Sequence, residues 1–153
     1  FSTLHTNDAP SSITRLQNMG TPNYLISAAL SLIMAQRLAR KNCSECRERD
    51  ENVTPKLLNS IGFLPEQSAR AKIYKGKGCD QCSNTGYKGR MGVYEILEID
   101  KELKQGILSD LSQAELNGIA KKNGFRTMQE MGHDLLLSGD LGYSEYERVL
   151  QSN

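Results

Sequence analysis

Cys43-Ser44-Glu45-Cys46 and Cys79-Asp80-Gln81-Cys82 are two C-x-x-C pairs, and the chain has no other cysteine. A two-residue spacer lets both thiols of a pair point at one atom while backbone N–H groups turn toward the sulfurs. Two such knuckles supply the tetrahedral four-sulfur set that Zn2+ prefers, with Zn–S distances near ~2.3 Å. Cys46 and Cys79 are separated by 32 residues, more than the roughly 15–20 of a simple zinc ribbon. A metal here is therefore expected to close an insertion rather than one hairpin. The competing interpretations are a disulfide pair or a redox C-x-x-C. A redox motif is normally single, so the duplication argues against it, and nothing in the chain resembles a small secreted disulfide scaffold.

A length of 153 residues allows one domain, or one domain with a small appendage. The hydrophobic content of 38% implies a core spread thinly over several small clusters. The formal charge of +1 argues against a dedicated nucleic-acid binder, which usually carries a strong basic surplus. Reduced thiols place the chain in the cytosol. It begins at Phe1 without a methionine, and no charged segment or cleavage site of a leader follows, so a piece of a longer protein is expected. The apolar stretch from Leu25 to Ala35 is too short to span a bilayer and contains Ser27 and Ser31; it reads as a buried core helix with no membrane span.

Phe1 to Leu4 is strand-like. Asp8-Ala9-Pro10 is a helix start, Ile13, Leu16 and Met19 share one face, and Gly20 ends the run. Thr21-Pro22 opens a second helix expected to reach about Arg40, with Arg37, Arg40 and Lys41 complementing its C-terminal dipole. Thr54-Pro55 starts a short helix stopped by Gly62. Ile73-Tyr74 reads as a strand into the second knuckle, and Arg90 to Ile99 as another. The last third reads as helical, with capping boxes at Ser112/Glu115, Thr127/Glu130 and Ser144/Glu147 and stops at Gly124 and Gly139.

Several motifs in order carry a family resemblance. Phe1-Ser2-Thr3-Leu4-His5-Thr6-Asn7-Asp8-Ala9 looks like the His box of the secretion-superfamily ATPases. Gln36-Arg37-Leu38, the four cysteines, Gly86-Tyr87-Lys88-Gly89-Arg90-Met91-Gly92-Val93-Tyr94-Glu95 and Gly124-Phe125-Arg126-Thr127-Met128 continue it. The chain resembles the C-terminal part of a type IV pilus assembly ATPase of the type II/IV secretion superfamily. This implies an α+β fold: the C-terminal remnant of a RecA-like P-loop ATPase core over residues 1–42, a tetracysteine zinc subdomain with a β-hairpin over 43–99, and a helical C-terminal subdomain over 100–153.

It also implies a cytoplasmic homo-hexameric motor, peripheral to the bacterial inner membrane, that hydrolyses ATP with Mg2+. Such a motor pushes an inner-membrane platform protein to polymerise pilins or drive type II secretion. The zinc would be structural. No G-x-x-x-x-G-K-[ST] occurs in the chain, so by itself it lacks the backbone cradle for phosphates and is expected to be inactive. Lys75-Gly76-Lys77-Gly78 is a false lead, because its glycines are wrongly spaced and no Ser or Thr follows the lysine. The alternative is a stand-alone zinc-stabilised module that binds the platform protein or a regulator.

His5 matches the second histidine of the His box and is the residue carried over as catalytic. An imidazole there would donate to developing phosphate charge or orient water; its bland alternative is a local hydrogen bond at a strand end. Arg15 and Arg37 are candidates for nucleotide or subunit contacts, set against a solvated arginine and a dipole partner. His133 has no nearby Cys or second His in sequence and is expected at the surface or in the core. Tyr87, Arg90 and Tyr94 could edge an interface or nucleotide, but their alternation equally fits a half-buried strand. Arg47, Arg49, Lys77 and Lys88 are candidates to offset the negative charge of a four-thiolate site.

Overall fold

The computed structural model describes residues 2–4, 6 and 8–151, a mixture of helices and short antiparallel strands. The chain folds into two compact units, one of residues 1–36 and 94–128 and the other of residues 37–93 and 129–153.

In the first unit, Asp8 starts α1 (Ser11–Asn18): its Oδ1 accepts the Ser11 N–H at 2.7 Å. Gly20, with φ +83°, follows the end of that helix. Helix α2 (Asn23–Ala29) runs only seven residues. Asp100 caps α5 (Lys101–Leu108) by accepting the Leu103 N–H at 2.8 Å. Helix α6 (Gln113–Lys122) opens on the expected box, in which the Ser112 hydroxyl accepts the Glu115 N–H and the Glu115 carboxylate accepts the Ser112 N–H. The apolar faces of these helices meet around Ala9, Ile13, Ile26, Leu97, Ile99, Leu103, Ile107, Leu116 and Ala120. Each fully buried Ile or Leu of this cluster contributes about 1.5–3 kcal/mol by leaving water.

Glu95 is the polar exception in that unit. It is buried, and its two carboxylate oxygens accept the Ala9 N–H at 2.6 Å and the Met128 N–H at 2.8 Å. The last residue of the Gly86–Glu95 motif thus ties Ala9 to Met128. Nothing in the sequence signals that pairing, because the donors lie 86 and 33 residues away.

The second unit contains β2 (Arg47–Arg49), α3 (Pro55–Ser60), α4 (Pro65–Arg70) and β3 (Tyr74–Gly76) between the knuckles. Strands β2 and β3 pair antiparallel, with Arg47 opposite Gly76 and Arg49 opposite Tyr74. Helix α3 is capped by Thr54 as its Thr-Pro start implies. Most of α7 (Met128–Ser138), then α8 (Tyr143–Tyr146) and a π-helical turn (Glu147–Gln151) complete the unit. The insertion carries its own anchor: Leu58, Ile61, Phe63 and Ile73 are buried, the Phe63 ring lies 4.3 Å from that of His133, and His133 Nε2 is 3.0 Å from the Ile61 carbonyl. His133 is therefore half-buried, between the surface and core placements expected of it.

The main departure from expectation is the segment after Ala29. The long second helix stops there, Leu30 turns to an extended ψ of 125°, and Leu32–Asn42 form strand β1. Ala, Gln, Arg, Leu and Met favour helix locally, but β1 pairs with β4 (Tyr87–Glu98). Ile99 donates to the Ser31 carbonyl and Cys43 to the Gly86 carbonyl, so the pair is antiparallel. Exposure alternates along β1 with a period of two, and Leu32, Met34 and Leu38 are exposed. The stretch Leu25–Ala35 is thus no single buried helix, and Arg37, Arg40 and Lys41 serve no helix dipole. Ser2–Leu4 form no strand. The third expected cap also moves: α8 begins after Gly142, leaving Ser144 inside the helix with its hydroxyl 3.3 Å from that of Tyr87.

Candidate metal centre

Pairing of β2 with β3 brings the two knuckles together. The first lies at the end of β1 and leads into β2; β3 leads into the second, whose Asp80–Cys82 form a 3-10 turn. The knuckles are stitched by Lys77 N–H to the Cys46 carbonyl at 3.0 Å and Cys43 N–H to the Gly86 carbonyl at 2.9 Å. Gly76 and Gly86 make this approach possible. A Cβ on Gly76 would stand 1.8 Å from the Gly86 oxygen, and Gly86 has φ +76°.

The four sulfurs all lie within 4.8 Å of one another. Sγ–Sγ distances are 3.9 Å for Cys43–Cys79, 3.8 Å for Cys46–Cys82 and 3.8 Å for Cys79–Cys82. A tetrahedron with Zn–S bonds of ~2.3 Å has edges of about 3.8 Å. A disulfide needs about 2.05 Å, and the four cysteines are free. The donor set therefore fits a closed four-sulfur metal ion and could hold one.

Three backbone N–H groups point at sulfur: Gly78 to Cys46 at 3.3 Å, Cys79 to Cys82 at 3.2 Å and Gly86 to Cys82 at 3.3 Å. Held as thiols, the sulfurs share protons unevenly. Burial pushes Cys46 up to about 12 despite the Gly78 N–H. At Cys82 burial acts the same way, but the N–H bonds from Cys79 and Gly86 win and hold it at about 6. Three of the four expected cations are directed elsewhere. Arg47 lies over the Tyr74 ring, Arg49 pairs with Glu51 and Lys88 reaches Gln81. The backbone, not these side chains, stabilises negative sulfur.

The same unit holds a second polar centre that the sequence analysis missed. Glu145 is fully buried, and its carboxylate accepts Arg40 Nε at 2.9 Å, Arg40 Nη2 at 2.6 Å and Arg148 Nε at 2.9 Å. Burial would raise its pKa, but the bonds from Arg148 and Arg40 outweigh burial and bring it to about 2. Arg40 also lies 4.1 Å from the centre of the Tyr87 ring. The Glu145/Arg148 spacing of three was a legible helix pair; Arg40, 105 residues away, was not.

Of the other candidates, His5 lies outside the described residues. Arg15 is exposed in a polar cleft with Thr6, Asp8 and Ser11. Arg37 donates to the Val149 carbonyl. Tyr94 accepts a hydrogen bond from Gln36 at 3.1 Å, and Arg90 is exposed. No helix among the described residues is long and apolar enough to cross a membrane.

A chain with this cysteine geometry, joined to the motifs quoted above, matches the type II/IV secretion system protein family over residues 1–148, and it belongs to that family. It is 40% identical to the type IV pilus assembly ATPase PilB of Thermus thermophilus, over 91% of this chain and 16% of that protein. Identity is 39% to PilB of Pseudomonas aeruginosa over 97% of this chain, and 32% to type II secretion system protein E of Aeromonas hydrophila over 100% of this chain. The chain spans 26% and 30% of those two relatives, and its match to PilB falls in their C-terminal region.

Proposed function

We propose that this chain forms the C-terminal part of a cytoplasmic, hexameric ATP hydrolase that powers type IV pilus assembly or type II secretion. In this reading residues 1–42 end a RecA-like core, 43–99 form a zinc subdomain and 100–153 a helical subdomain. The single observation that supports it most is the similarity to pilus assembly ATPases, at 38–40% identity over 91% or more of the chain.

Zn2+ bound by Cys43, Cys46, Cys79 and Cys82 is structural, because four thiolates leave no open position for water or substrate. His5 acts on the γ-phosphate region, and ATP and Mg2+ are held by parts outside these 153 residues. The partner is an inner-membrane platform protein. No phosphate loop occurs in the sequence, so the isolated chain turns over no ATP and, acting alone, could serve only as an interaction module.

The test uses the longer parent enzyme beside this chain. His5→Ala in the parent is expected to lower turnover on the order of 100-fold while ATP affinity stays nearly constant, since the role lies in the transition state. Equal turnover in mutant and parent, or ATP hydrolysis by the isolated chain, would overturn the reading.

A further inference from the structure

A cleft of about 450 Å3 in the second unit is lined by Leu38, Ala39, Arg40, Arg90 and Arg148. Three guanidiniums in one small concavity repel one another unless something holds them. Glu145 does so for two of them. Its carboxylate has no exposure, and it takes the Nε and Nη2 edges of both Arg40 and Arg148. Both arginines are about half exposed, at 46% and 55%, so their charge still faces water.

Arg90 completes the group from β4. Its side chain is exposed and lines the cleft. Among the described residues no carboxylate lines the cleft. The described lining is thus carried by guanidiniums, with Glu145 buried beneath Arg40 and Arg148. Arg40 adds the Tyr87 ring behind its plane, which fixes the fork further.

We propose that this cleft binds a phosphoryl dianion. The Arg90 fork can take two phosphate oxygens, and such charge-assisted bonds are roughly twice as strong as neutral ones. The volume far exceeds one phosphate, and Leu38 and Ala39 give an apolar wall, so the group can arrive free or carried on a small phosphomonoester. Arg90 is the recognition residue, and Glu145 positions the other two arginines without touching the ligand. The site is independent of the zinc ligands and of ATP turnover.

The experiment is a calorimetric titration of the full chain with inorganic phosphate and, separately, with glycerol phosphate, at ionic strength held constant with chloride. Saturable one-to-one binding of either is expected. Tighter binding of glycerol phosphate assigns a carried phosphoryl group, and equal affinity assigns free phosphate. Arg90→Ala should weaken binding about tenfold or more, and Arg90→Lys should fall between, keeping charge but losing the fork. Unchanged zinc content in both variants checks that they fold. Absence of saturable binding by both anions would overturn the proposal. So would affinity that Arg90→Ala leaves intact, or a chain that self-associates through Arg90 and that phosphate merely disperses as any salt does.

Discussion

The two units bury different chemistry. The one made of residues 1–36 and 94–128 closes around aliphatic side chains from its four helices and the strand end at Leu97 and Ile99. The one made of residues 37–93 and 129–153 gathers four sulfurs and buries Glu145 and the rings of Phe63 and Tyr146, with the half-buried His133 ring against them. Hydrocarbon burial is graded, so single losses there cost a few kcal/mol and spread over many contacts. Metal ligation and buried polar bonds are closer to all-or-none, because a missing partner leaves its mate unsatisfied. Perturbations that act on sulfur or phenol should therefore select the second unit, and cavities should select the first.

The largest expected effect is removal of the metal. Chelation under reducing conditions, or Cys46→Ser, should abolish slow amide exchange across residues 37–93 and 129–151 and leave it largely intact in 9–36 and 94–128. The aromatic anchor at His133 links the insertion to α7 and α8, so loss should extend beyond the knuckles. Hydrogen exchange read by mass spectrometry reports each segment separately. Equal loss in both units would erase the contrast.

Next comes a cavity in the first unit. Leu103 is 1% exposed, and Leu103→Ala should cost about 2–5 kcal/mol. Urea unfolding would measure this cost, while the zinc-to-protein ratio stays at one per chain. Zinc loss in this variant would mean that the units fold as one body.

The smallest effect is alkaline. Tyr146 is fully buried, and burial, with the Tyr143 charge adding to it, pushes its phenol up to about 12. Its folded pKa lies above the unfolded value near 10, so its contribution is complete below pH 10. It should be lost as pH rises toward 12, by on the order of 3 kcal/mol. Tyr146→Phe should flatten that decline while losing about 1 kcal/mol at neutral pH, from the hydrogen bond to His133 Nε2 at 3.1 Å. Tyrosinate absorbance against pH, compared between the two proteins, decides it. A wild-type chain whose second unit survives at pH 12 would contradict the burial of this phenol.

Short-range chemistry was legible wherever the partner sat within a few residues. The Thr54 and Ser112 caps, the Gly20, Gly124 and Gly139 stops and the β4 strand are all local decisions. Thr127 directly precedes α7 as expected. Asp100 was an equally local signal that went unread: an Asp before a lysine and a glutamate opens α5 by accepting the Leu103 N–H.

Sequence alone determined that four thiols in two C-x-x-C pairs would act together, because each spacer sets its own knuckle and four sulfurs have few other stable fates. The motif order likewise determined the family. Only tertiary structure decided that residues 32–42 would be a strand. Their side chains favour helix, and it took pairing with β4, far along the chain, to outweigh that preference. Tertiary structure also decided that Glu145 would gather Arg40 and Arg148, and Glu95 the N–H groups of Ala9 and Met128. A buried carboxylate must find donors wherever the fold delivers them, and no spacing in a linear sequence records where that will be.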